Sequence, residues 1–110
     1  MSDAGQITDN VDASRLELRS EGHLAELWYR KRGDRFVIVH TDVPPELEGR
    51  GLGGALVRAA IDQAVSEGLT VVPLCPFARL WLERHPDAAA SATIDWRQAG
   101  GGGIPPGPPG

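Results

Sequence analysis

The chain lacks most of the features that mark specialised protein classes. It has one cysteine, Cys75, so it cannot staple itself with a disulfide, and a cytoplasmic, reducing setting is expected. No apolar run approaches the roughly 20 residues of a membrane-spanning helix. The stretch Met1 to Gln6 has neither the basic start nor the apolar segment of a secretory signal, and no membrane partner is expected. There is no basic excess: 11 Lys and Arg stand against 15 Asp and Glu, a net charge of −4, which gives no overall pull toward nucleic acid and weakly suits a basic acceptor. No His, Cys, Asp and Glu cluster has metal-ligand spacing, so no metal is expected. No internal repeat is visible. At 110 residues there is material for one modest core and no second catalytic domain.

What is present is an ordered alternation of strand and helix signals. Residues 1–13 are rich in Asp, Asn and Gly and read as a flexible, solvated leader. From Arg15, Leu16 and Leu18 alternate with charged residues, which predicts a half-buried strand. Ser20 to His23 reads as a turn, Leu24 to Arg30 as a second strand, Lys31 to Asp34 as a reversal, and Phe36 to Thr41 as a third strand. Pro44-Pro45 ends it, because proline lacks the amide that a ladder requires. After a glycine cluster, Gly53, Leu56, Val57, Ala60, Ile61, Ala64 and Val65 recur at three- and four-residue steps, an amphipathic helix that Gly68 stops. Leu69 to Leu74 reads as a buried strand. Phe77, Leu80, Trp81 and Arg84 are spaced for a shorter helix that His85-Pro86 ends. The foldable domain is therefore expected over residues 14–87. Residues 88–110, Ala-rich and then Gly- and Pro-rich, read as a flexible tail, with Ser91 to Trp96 either a last strand or loose. Pro105 to Pro109 is either a spacer or a ligand for a small adaptor domain.

The glycine cluster carries the chemistry. Gly49-Arg50-Gly51-Leu52-Gly53-Gly54 stands between a strand and a helix, where backbone amides and the positive end of a helix dipole favour phosphate. A nucleotide-triphosphate loop would need Lys-Ser or Lys-Thr after its last glycine, and Ala55-Leu56 follows instead. A dinucleotide loop is formally matched by Gly49, Gly51 and Gly54. It expects an acid near the end of the next strand, and Val71 to Cys75 offers none.

A third class accounts for the surroundings as well. Glu48-Gly49-Arg50-Gly51-Leu52-Gly53 resembles the pyrophosphate-binding signature of the Gcn5-related N-acetyltransferases (GNAT), with Glu48 where Gln or Arg is usual. The ordered set His40-Thr41, the glycine turn, Cys75-Pro76-Phe77 and His85-Pro86 resembles the very small single-domain branch of that family, that of the human N-acetyltransferase domain-containing protein and its bacterial and plant relatives. The resemblance spans about residues 15–87 and implies a minimal α/β (α+β) acyl-CoA N-acyltransferase fold. It implies acetyl-CoA as cosubstrate and an amine, unidentified, as acceptor. By the same resemblance the strand ending at Val43 holds the pantetheine arm, Gly49, Arg50, Gly51, Leu52, Gly53 and Gly54 hold the pyrophosphate, and the thioester points toward Cys75. The helix Tyr that serves many family members as general acid has no counterpart in Ala78-Arg79-Leu80-Trp81-Leu82.

The chemistry-bearing residues keep two readings each. Cys75 is either a catalytic or acyl-carrying thiol or an inert packing residue. His40 is either a general base or a hydrogen-bonded structural histidine. Arg50 either steers phosphates or is solvated. His85 reads as a helix-end residue with cofactor contact as the second possibility, and Phe77 and Trp81 read as core. The rival function from another class is a CoA-binding module without turnover.

Overall fold

A computed structural model describes residues 7–96. Its strands are β1 (Ile7–Asn10), β2 (Arg15–Ser20), β3 (His23–Arg32), β4 (Arg35–Asp42) and β5 (Thr70–Pro73), side by side in that order in one sheet. The first four are antiparallel neighbours; β5 runs parallel to β4, which requires a crossover, supplied by α1 (Leu52–Glu67). Two further helices follow, α2 (Pro76–Arg84) and α3 (Pro86–Ala90).

The period-two pattern does what it predicts. Leu16 and Leu18 of β2, Ala25, Leu27 and Tyr29 of β3, and Phe36 and Ile38 of β4 are all buried on one side of the sheet. Leu56, Val57, Ala60, Ile61 and Ala64 of α1 are buried in the same core, each large side chain contributing roughly 1.5–3 kcal/mol. Gly68 ends α1 in the left-handed conformation and donates to the carbonyls of Ala64 and Val65. Val65 lies at the edge of the apolar stripe and is 48% exposed.

Two irregularities set the course of β4 near its end. Trp28 pairs with His40 but Tyr29 pairs with Ile38, so Val39 is an extra residue, a bulge. By simple alternation His40 would join Phe36 and Ile38 on the buried side; the bulge turns it toward Trp28 and returns Thr41 to the side of buried Leu27. The ladder to β5 stops at Ile38 with Pro73, and the amides of Leu74 and Cys75 both donate to the Ile38 carbonyl, at 3.0 and 3.1 Å. Beyond Ile38, β4 runs on without β5.

Regular elements extend past both expected domain boundaries. Ile7–Asn10, expected within a solvated leader, forms β1, fastened through Asp9, which accepts from Tyr29 Oη at 2.6 Å and Gln63 Nε2 at 2.8 Å. Polar composition conceals this strand because its anchor is a carboxylate with two buried-side donors. At the other end, His85-Pro86 does not finish the domain: proline is well suited to the first turn of a new helix, and α3 begins there. Ala88 is buried, Ile94 bridges Val71, and Asp95, also buried, pairs with Arg35 at 2.7 Å. The expected Gly- and Pro-rich tail beyond residue 96 lies outside the described residues. Among the described residues, no helix is long and apolar enough to cross a membrane.

Candidate active site

The chain leaves β4 through Asp42, Val43 and Pro44 into a short 3-10 turn, Pro45–Leu47, held down by the fully buried Leu47. Glu48 is extended. Gly49 and Gly51 then take positive φ, 85° and 75°, which a Cβ would strain. Gly51 is the N-cap of α1, and its carbonyl accepts the first helical bond, from the Ala55 amide at 3.0 Å. The amides of Leu52, Gly53 and Gly54 precede that bond, at the positive end of a 16-residue helix with no side-chain cap and no acid in its first turn.

Gly53 and Gly54 are glycines for another reason. A Cβ on Gly53 would come within 2.8 Å of Phe77 Cζ, and one on Gly54 would overlap the indole nitrogen of Trp81. Both aromatics belong to α2, so the paired glycines let α2 approach the first turn of α1. The excess of glycine thus divides: Gly49 and Gly51 shape the turn, while Gly53 and Gly54 admit a neighbouring helix.

Between the end of β4, the glycine turn and α2 is a cavity of about 790 Å³. Val43, Gly49, Gly51, Leu52, Gly53 and Gly54, all singled out in the sequence, line it; so do Thr41 and Asp42. Arg50 does not. Its guanidinium is turned away to Glu21 at 2.5 Å, and that contact holds the Glu21 carboxyl below its ordinary range. Neither His40 nor Cys75 lines the cavity. Cys75 is fully buried, with Sγ donating to Thr41 Oγ1 at 3.5 Å, so Thr41 stands between the thiol and the cavity wall. His40 packs edge-to-face on Trp28, ring centroids 5.6 Å apart, and its Nδ1 is buried without a hydrogen-bond partner among the described residues. Leu82, where a phenol is usual by resemblance, is fully buried.

The sequence of this architecture matches the family model described as GCN5-related N-acetyltransferase over residues 15–91, from the start of β2 to just past α3. The chain belongs to that family. The solution structure of a GCN5-like protein from Staphylococcus aureus, for which N-acetyltransferase activity has been inferred, superimposes with a TM-score of 0.65 at 28% identity, covering 86% of this chain and 93% of that one. No curated protein matches. The GNAT assignment agrees with the mixed α/β fold expected from sequence, and it makes the domain that of an acetyl-transferring enzyme.

Within the GNAT domain, α2 brings to the cavity Phe77 and Trp81, which the sequence pattern placed in the core, and His85, for which cofactor contact was the second possibility. Phe77, Trp81 and His85 line the cavity together with Arg58 of α1, and Phe77 is 42% exposed instead of core. His85 stacks on Trp81 at 4.0 Å and 13°, and its Nδ1 is 2.7 Å from the Trp81 carbonyl; since a carbonyl only accepts, Nδ1 carries the proton. Phe77, Trp81 and His85 recur every four residues, which marks one face of a helix but not whether that face meets core or cavity. The adjacent Gly53-Gly54 pair was the available signal that another helix packs there.

Proposed function

We propose that this GNAT domain binds acetyl-CoA in the cavity and transfers its acetyl group to an amine. The supporting observation is the continuity of one cavity from the uncapped N-terminus of α1 to the stretch of β4 that runs on past β5. The amides of Leu52, Gly53 and Gly54, with the turn formed by Gly49 and Gly51, suit the pyrophosphate. Arg50 adds at most long-range attraction from its place beside Glu21. The backbone near Val43, no longer paired to β5, suits the amides of the pantetheine arm.

A neutral amine attacks the thioester carbonyl; the carbonyl pair moves to oxygen, and collapse of that oxyanion expels the CoA thiolate, which a proton then neutralises. His40 is the proposed base: it follows the β4 bulge next to cavity-lining Thr41, its Nδ1 has no hydrogen-bond partner among the described residues, and from outside the cavity it takes the amine proton through one bridging water. Direct attack is favoured over relay through Cys75, because a thiol with no exposed surface cannot receive an acyl group without local opening. The second reading, a CoA-binding module without turnover, draws on the same burial of Cys75 and on Leu82 in place of a phenol. A thiol-release assay with acetyl-CoA and a panel of polyamines and lysine peptides separates the two. Acceptor-dependent release supports transfer, whereas saturable CoA binding with no release for any amine supports the module.

A further inference from the structure

Arg58 is the unexplained residue of the cavity. It is an exposed cation two turns along α1, it makes no ion pair among the described residues, and its guanidinium sits 5.4 Å from the centroid of the Trp81 ring. Trp81 is itself fixed, with Gly54 against its indole nitrogen and His85 stacked on it. A long flexible side chain is therefore held at the rim of the cavity by an aromatic platform, with no carboxylate to neutralise it. The glycine turn already provides for one anionic group. Arg58 is seven helical steps on from Gly51, about 10 Å along the axis, and an arginine on a helix leans back toward the N-terminus. The cavity thus offers a second anion position a short distance from the first.

We propose that Arg58, held by Trp81, is a specificity-determining residue for the 3′-phosphate on the ribose of CoA. This rests on the reading that the cavity takes CoA, and it adds which form of that ligand the site selects. CoA carries a pyrophosphate and, on the adjacent ribose, a phosphate monoester; 3′-dephospho-CoA lacks only the latter. The guanidinium fork matches a phosphate bidentately, and a charge-assisted contact of this kind at the rim corresponds to about tenfold in affinity.

The test is a set of dissociation constants, by calorimetry, for CoA and 3′-dephospho-CoA with the natural protein, Arg58→Gln and Arg58→Lys. CoA is expected to bind the natural protein about tenfold more tightly than its dephospho form. Arg58→Gln should bring the ratio to near one, and Arg58→Lys should restore part of it. Taking a ratio removes any general effect of disturbing Trp81. A natural protein that binds both ligands equally, or an Arg58→Gln variant that keeps the preference, overturns the proposal while leaving CoA binding intact. If neither ligand binds the natural protein, the reading of the cavity fails and the proposal falls with it. Because Arg58 is exposed, melting curves should show both variants as stable as the natural protein.

Discussion

The indole nitrogen of Trp81 occupies the space that a Cβ on Gly54 would fill, so the first turn of α1 and the middle of α2 fit together only with glycine at residue 54. Gly54→Ala sets two effects against each other. Alanine in a helix gains up to about 1 kcal/mol over glycine, while forcing a methyl into a filled site costs typically 1–3 kcal/mol. The expected net is a lower melting temperature, with CoA affinity reduced because Trp81 is displaced into the cavity. Adding Trp81→Leu should recover stability but not affinity. A Gly54→Ala protein as stable as the natural one would show that Trp81 moves aside at no cost.

The turn glycines give a cleaner separation of strain from binding. Gly51 has φ of 75° and open space where a Cβ would go, so Gly51→Val suffers backbone strain of about 1–2 kcal/mol but no collision within the fold. Its side chain would stand in the cavity. Gly33 in the β3–β4 turn has φ of 58° and equally open surroundings. Gly51→Val should therefore abolish CoA binding, and Gly33→Val should be similarly destabilised while binding normally. Equal affinity for the two variants would remove the glycine turn from the binding site.

Legibility in the sequence depends on what each signal physically reports. Alternation at Leu16 and Leu18 and helical steps from Leu56 to Ala64 report burial on one face, and those elements form where expected. Ile7–Asn10 gives no such signal, since that strand is secured by Asp9, Tyr29 and Gln63, residues 20 and 54 positions apart from Asp9 in the chain. Pro86 reads as a stop because proline both ends and begins helices, and only the burial of Ala88 decides between them. At the site, the glycine turn was legible from composition. The α2 wall was not, because Phe77 and Trp81 carry the same spacing whether they face a core or a cavity.

The packing of residues beyond 87 has a direct test. A chain ending at Trp96 should melt close to the full chain, whereas one ending at Asp87 removes Ala88, the Ile94 bridge and the Asp95 partner of Arg35. Losing that packing and ion pair should cost about 2–4 kcal/mol, a drop on the order of 10 °C or more for a domain of this size. Equal melting temperatures for the two truncations would return the boundary to residue 87.

Tyr29 should make the fold alkali-sensitive. Burial, first, and then donation to Asp9 push its phenol well above its ordinary value near 10. A group whose folded pKa is raised contributes stability that is complete below the unfolded value and fades above it. The melting temperature should fall as pH passes upward through 10, and Tyr29→Phe should flatten that slope while costing about 1 kcal/mol at neutral pH from the lost hydrogen bond. An unchanged slope in Tyr29→Phe would assign the alkaline transition to other groups.

His40 and Cys75 are expected to part company when each is replaced. Cys75 is buried behind Thr41, so Cys75→Ala removes a packed sulfur and one weak hydrogen bond, at roughly 1 kcal/mol, without touching the cavity wall. Stabilisation by CoA and amine-dependent thiol release should both survive it. His40→Gln keeps a polar side chain of similar reach on the β4 bulge but cannot take a proton at neutral pH. It should retain CoA binding and lose turnover by about 10²–10⁴-fold, the range of general base catalysis. The reverse pattern, turnover lost in Cys75→Ala and kept in His40→Gln with both variants binding CoA, would replace direct attack by acyl relay through the thiol. It would then require Thr41 to move aside so that the thioester can reach Sγ.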